Sequence, residues 1–212
     1  MARKRIQTSL IAVVGLVVFC GTALADARNV IEFARYFPQR INVNTGLTFE
    51  PVLTEGGADA TLEYRWFVNG EEVFHVISEH FPGTQLKRGD QLSVEITPVL
   101  SGGERLAPFV SQLLEVGNAK PVITSDPSSA TTTNSFSYQV IATDPDGDDL
   151  TFRLEGAPDG MSINQTTGKI DWMFDAAESG NFNVTIVVED GFGGQASQQF
   201  ELNLSHVPEL SR

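Results

Sequence analysis

Asp144, Asp146 and Asp148 stand at alternate positions of one short stretch, and Asp149 follows directly. Carboxylates this close repel one another unless a cation or water screens them. The chemistry open to such a set is oxygen ligation of a hard cation. Ca2+ takes six to eight oxygens, and a D-x-D-x-D turn presents three from one loop. The same residues also make an ordinary turn. Asp144-Pro145-Asp146-Gly147 places Asp first, Pro second and Gly fourth, the preferences of a type I turn. Both readings stand on the sequence alone. An EF-hand does not: with Asp144 as position 1, Asp149 occupies position 6, where a glycine is required, and the flanks read as strands.

Other residue types with catalytic potential do not converge. His75 and His80 are five apart, which suits ligation neither from a helix nor from a strand, and they read as exposed loop residues. Asp171 and Asp175 flank Trp172 without the cleft that a glycosidase pair needs. Trp66 and Trp172 sit in strand-like apolar contexts and read as core anchors; an exposed Trp would instead favour sugar stacking. The single Cys excludes a disulfide framework and a cysteine zinc site. No nucleophile–base pair is visible, so the chain reads as non-enzymatic. Its 14 basic and 27 acidic residues give a net charge of −13. Such a surface repels phosphate backbones and argues against a nucleic-acid partner.

The elements that must hold the acidic turn are strands. Phe136, Tyr138, Val140 and Ala142 alternate with polar residues or Ile141. Phe182, Val184, Ile186 and Val188 do the same, and Phe200, Leu202 and Leu204 share one parity. In the first half Leu62, Tyr64, Trp66 and Val68 alternate ahead of Asn69-Gly70, a strong hairpin signal, and Leu92, Val94 and Ile96 follow. Period two with frequent turn signals predicts antiparallel sandwiches. Val30, Phe33, Ala34 and Phe37 have helical spacing, but Pro38 ends the run, and it reads as an edge strand.

The domain plan is 1–25 leader, 26–117 first β-sandwich, 118–206 second β-sandwich and 207–212 tail. Arg3, Lys4 and Arg5 precede the apolar run Leu10 to Cys20, and Ala23-Leu24-Ala25 offers a cleavage site before Asp26. This is the pattern of a secretory signal peptide, and the run is short for a bilayer span. An uncleaved anchor would put the chain at the membrane, and Phe19 ahead of Cys20 argues against a lipoprotein signal. Removing the leader takes three bases and the only Cys, leaving 11 bases against 27 acids, net −16. The expected location is periplasmic, cell-surface or extracellular.

The second half resembles the cadherin-like, dystroglycan-type group of immunoglobulin-fold repeats found in bacterial surface and secreted proteins. The resemblance rests on Tyr138 to Phe152 with its Asp144-Pro-Asp146 turn. Pro158-Asp-Gly160-Met161, Thr167-Gly168-Lys-Ile170 and Val187-Val-Glu189-Asp190-Gly191 carry the rest. The first half is similar to Ig-like modules in Tyr64-Arg-Trp66 and Gly89-Asp90-Gln-Leu92-Ser-Val94. The resemblance implies all-β, tandem Ig-like antiparallel sandwiches, and it implies Asp144 and Asp146 as calcium ligands with Asp190 from a neighbouring loop. Cadherin linkers supply further acids, whereas this one reads Asn118-Ala-Lys120-Pro121. Any Ca2+ affinity is therefore expected to be weak, on the order of 10⁻⁴ to 10⁻³ M. The expected role is adhesion, spacing or assembly with an envelope or extracellular protein partner. A carbohydrate-binding module with a glycan ligand is the alternative.

Overall fold

A computed structural model describes residues 15–16, 30–127, 134–175 and 179–204. The chain divides into two compact units, Met1–Gly117 and Asn118–Arg212. Both are all-β with antiparallel pairing throughout the named strands.

The first unit carries β1 (Gly15–Leu16), β2 (Ile31–Phe37), β3 (Leu47–Leu53), β4 (Thr61–Val68), β5 (Glu71–Val73), β6 (His80–Phe81), β7 (Gln91–Val99), β8 (Phe109–Val110) and β9 (Leu114–Glu115). One sheet has the order β1-β2-β3-β6; the other runs β5-β4-β7-β8, with β9 also on β7. The parity of the sequence sets the faces. Along β7, Leu92, Val94 and Ile96 are fully buried, and on β4 Trp66 is buried while Glu63 and Arg65 are exposed. Asn69 and Gly70 both have positive φ, 54° and 83°, as a two-residue hairpin of this twist requires.

The stretch with helical spacing is indeed a strand. A register shift between Ile31 and Phe33 in the β2–β3 ladder lets Ile31 and Ala34, three residues apart, both point inward. A β-bulge thus imitates a helical period. The two sheets meet through aromatic rings. Phe49 packs edge-on against Trp66 at 6.3 Å, and Trp66 against Phe81 at 5.4 Å. Each fully buried Phe, Leu or Ile contributes roughly 1.5–3 kcal/mol relative to exposure, which is how a chain this poor in cysteine holds its fold.

The second unit carries β10 (Val122–Ile123), β11 (Ser135–Gln139), β12 (Ala142–Thr143), β13 (Thr151–Glu155), β14 (Ser162–Ile163), β15 (Lys169–Met173), β16 (Gly180–Glu189) and β17 (Gln195–Leu204). Its sheets are β11-β15-β14, β13-β16-β17 and the short pair β10-β12. Phe136 stacks on Phe200 at 5.4 Å and Trp172 meets Phe182 edge-on at 5.3 Å, joining the two three-stranded sheets. The alternating run from Phe136 to Ala142 is not one strand. It changes partner after Gln139: β11 pairs with β15, whereas β12 pairs with β10. At the change, Val140 N–H bonds Gly168 O at 3.1 Å and Ile141 N–H bonds Ser125 Oγ at 2.8 Å. Inward parity survives, with Val140 buried and Ile141 exposed.

Of the expected leader, only Gly15 and Leu16 are among the described residues. Cys20, the Ala23–Ala25 cleavage site and the 207–212 tail lie outside them. No helix among the described residues is long and apolar enough to cross a membrane.

Candidate metal centre

The acidic turn links β12 to β13 in the second unit. Gly147 N–H bonds Asp144 O at 3.2 Å, and Gly147 has φ +83°, so the turn closes as its Asp-Pro-Asp-Gly sequence favours. The Asp144 side chain folds back over it. Its Oδ1 accepts from Asp146 N–H at 2.8 Å and, more loosely, from Asp148 N–H at 3.4 Å. Its other oxygen, Oδ2, is buried and has no hydrogen-bond partner.

Asp190 arrives from the five-residue turn between β16 and β17. It is 2% exposed and is one of two buried polar residues among the described ones. Its Oδ1 accepts from Phe192 N–H at 2.7 Å and Gly194 N–H at 2.9 Å, and its Oδ2 accepts from the Asn118 amide at 2.6 Å. Burial alone would raise its pKa. The hydrogen bonds from Asn118 and from the backbone of Phe192 and Gly194 outweigh burial and hold the carboxyl below its ordinary value of 3.8. Gly194 is required here for space, because a Cβ on it would lie 1.9 Å from Asp190 Oδ2.

Carboxylate oxygens of Asp144, Asp148 and Asp190 lie within 4.8 Å of one another. Asp146 points elsewhere: its Oδ2 accepts from Ala119 N–H at 2.7 Å, and its Oδ1 is buried without a hydrogen-bond partner. The turn and the cluster are therefore compatible, and one loop forms both. The donor set fits a hard cation. All three groups are carboxylates, Asp144 Oδ2 has spare acceptor capacity, and each carboxylate oxygen offers about two lone pairs.

Two participants carried no acidic signal in the sequence. Asn118 and Ala119 read as linker, yet they hold Asp190 and Asp146, and Ala119 is fully buried. Lys120 is exposed. The histidines do not converge: His75 Nε2 bonds Gln85 Oε1 at 2.7 Å, while His80 Nδ1 pairs with Thr48 Oγ1 at 2.9 Å. Trp66 and Trp172 are 0% and 2% exposed, with their indole N–H groups donating to Ser78 O and Asp159 O. Neither offers a face to a sugar.

Residues 120–205 match the family model described as Putative Ig domain. No curated protein matches the chain. Among solved structures, the chain is 17% identical to the Protocadherin GammaB4 extracellular domain, covering 79% of this chain and 34% of that one at a TM-score of 0.37. Protocadherin Gamma B2 cadherin domains 3–6 are 16% identical, with 85% and 54% covered and a TM-score of 0.35. The endo-fucoidan hydrolase MfFcnA4 of glycoside hydrolase family 107 is 20% identical, with 64% and 21% covered and a TM-score of 0.33. The chain spans between 21% and 54% of the length of these three solved chains.

Proposed function

We propose that this is a non-enzymatic, exported binding or structural module whose second unit binds Ca2+ through Asp144, Asp148 and Asp190. The observation that carries the reading is the approach of three carboxylates from two separate turns to within 4.8 Å, with the buried Asp144 Oδ2 lacking a hydrogen-bond partner. Like charges brought this close destabilise the fold unless a cation offsets them. A bound Ca2+ would tie the β12–β13 turn to the β16–β17 turn and stiffen that end of the second unit. Asp146 would support the site through Ala119 without direct ligation. Adhesion, spacing or assembly with another envelope or extracellular protein is the role that such a stiffened module serves.

The carbohydrate-binding alternative loses its main support with both Trp residues buried. An open groove of about 820 Å³ beside the acidic turn is lined by Thr143, Asp148, Thr151 and Thr167 among others, but its one aromatic residue, Phe152, is buried.

Calorimetric titration with Ca2+ tests the proposal. Heat that saturates at millimolar metal or below, and that vanishes in Asp144→Asn, is expected. A silent titration with no shift in thermal unfolding would overturn the metal reading.

A further inference from the structure

We infer that the outer edge of β2 is a strand-accepting site that takes an extended apolar segment of a partner protein in antiparallel register. The inference rests on the reading of the chain as an exported binding module and names where on the first unit a partner docks. On its inner side β2 is laddered to β3 from Ile31 to Phe37. On its outer side, among the described residues, only Tyr36 and Arg35 are paired, with Gly15 and Leu16. A strand edge left open presents backbone N–H and C=O groups that template another chain.

The acceptor has defined limits and chemistry. The bulge between Ile31 and Phe33 at one end and Pro38 at the other confine it to residues 33–37. Its core-facing side is apolar: Ala34 is buried, and Tyr36 stacks on Phe49 at 5.7 Å. Its outer side carries Arg35, whose guanidinium lies 5.1 Å over the Phe33 ring.

The strand already seated there states the chemistry of the occupant. β1 belongs to the uncharged apolar run Leu10 to Cys20. That run also has the pattern of a leader cut after Ala25. Cutting removes β1 and leaves residues 33–37 with no strand on their outer side among the described residues, an edge of the right length for an incoming apolar strand. Main-chain hydrogen bonds then supply the affinity. A second copy of β2 is the poorer occupant, because two copies paired antiparallel over residues 33–37 set Arg35 directly opposite Arg35, like charge against like charge.

The test uses the chain as exported, its N-terminus read by intact mass. The probe is a labelled peptide of residues 11–20 with Cys20→Ser and a lysine tail. The processed chain is expected to begin at Asp26 and to bind the peptide saturably. Phe49 N–H bonds Glu79 O, so the N–H of Tyr36 opposite it faces away from β3, and its hydrogen exchange is expected to slow about tenfold or more on binding. A peptide N-methylated at Gly15 and Leu16 is expected to bind at least about tenfold more weakly, since it cannot complete the ladder. Four results would overturn the inference: an exported chain that keeps residues 1–25, equal binding of the N-methylated peptide, no binding at millimolar peptide, or β2 protection that rises with protein concentration alone. A chelator is expected to leave peptide binding unchanged. Failure here therefore leaves the metal reading standing, and failure of the metal reading leaves this site untouched.

Discussion

The side-chain amide of Asn118 donates a 2.6 Å hydrogen bond to Asp190 Oδ2 across 72 positions of sequence. The first residue of the second unit is thereby fastened to the turn that closes its last hairpin. Asp190 is buried, so the bond replaces water that the carboxylate has lost. Asn118→Ala is expected to destabilise the second unit by about 1–3 kcal/mol, the cost of stripping a partner from a buried charged acceptor. Urea unfolding followed by Trp172 fluorescence reads the change.

The same carboxylate gives the second unit an acid limit. Burial raises the Asp190 pKa, but the hydrogen bonds from Asn118, Phe192 and Gly194 win, and the folded value lies below 3.8. A group with a depressed folded pKa contributes stability above its unfolded value and loses it as pH falls through the folded one. Stability is therefore expected to be flat above about pH 5 from this group and to drop below about pH 4. Asp190→Asn should flatten that acid limb in pH-dependent melts. An unchanged limb would show that other carboxylates govern it.

Asp146 and Asp144 separate the structural from the ligating role. Asp146→Ala strands the Ala119 N–H, which is expected to cost about 1–3 kcal/mol of stability. The variant is expected to keep most of the calcium heat when measured well below its melting temperature. Asp144→Asn removes a charged ligand and should abolish that heat while the fold persists. The reverse ordering would place the cation on Asp146.

Trp66 bridges the sheets of the first unit through Phe49 and Phe81. Trp66→Ala is expected to cost about 3–5 kcal/mol there, with the lost Ser78 hydrogen bond included. The near-ultraviolet circular dichroism of the first unit should collapse at a lower denaturant concentration than in the parent chain.

The strands were legible in the sequence wherever a strict period of two meets a buried face. Leu92, Val94 and Ile96 show this, and so do Val184, Ile186 and Val188. The β2 segment was legible only through Pro38, because its bulge puts Ile31 and Ala34 on one face and mimics a helix. The partner change after Gln139 left no trace, since Val140 and Ile141 keep their parity across it. Asp144 and Asp148 announce themselves by local spacing. Asp190 does not, because its approach is created by hairpin closure, and only family resemblance pointed to it. The contributions of Ala119 and Gly194 are a backbone N–H and a missing Cβ, neither of which has a side-chain signature.

Ca2+ at ten times its Kd is expected to stabilise the second unit by roughly 1.4 kcal/mol, but a melting shift alone does not locate the ion. The direct measurement is anomalous diffraction from a crystal of the chain grown with Ca2+. One peak is expected, lying about 2.3–2.6 Å from an oxygen of each of Asp144, Asp148 and Asp190. A map without a peak among these three side chains at saturating metal, or a peak held by other residues alone, would contradict the account.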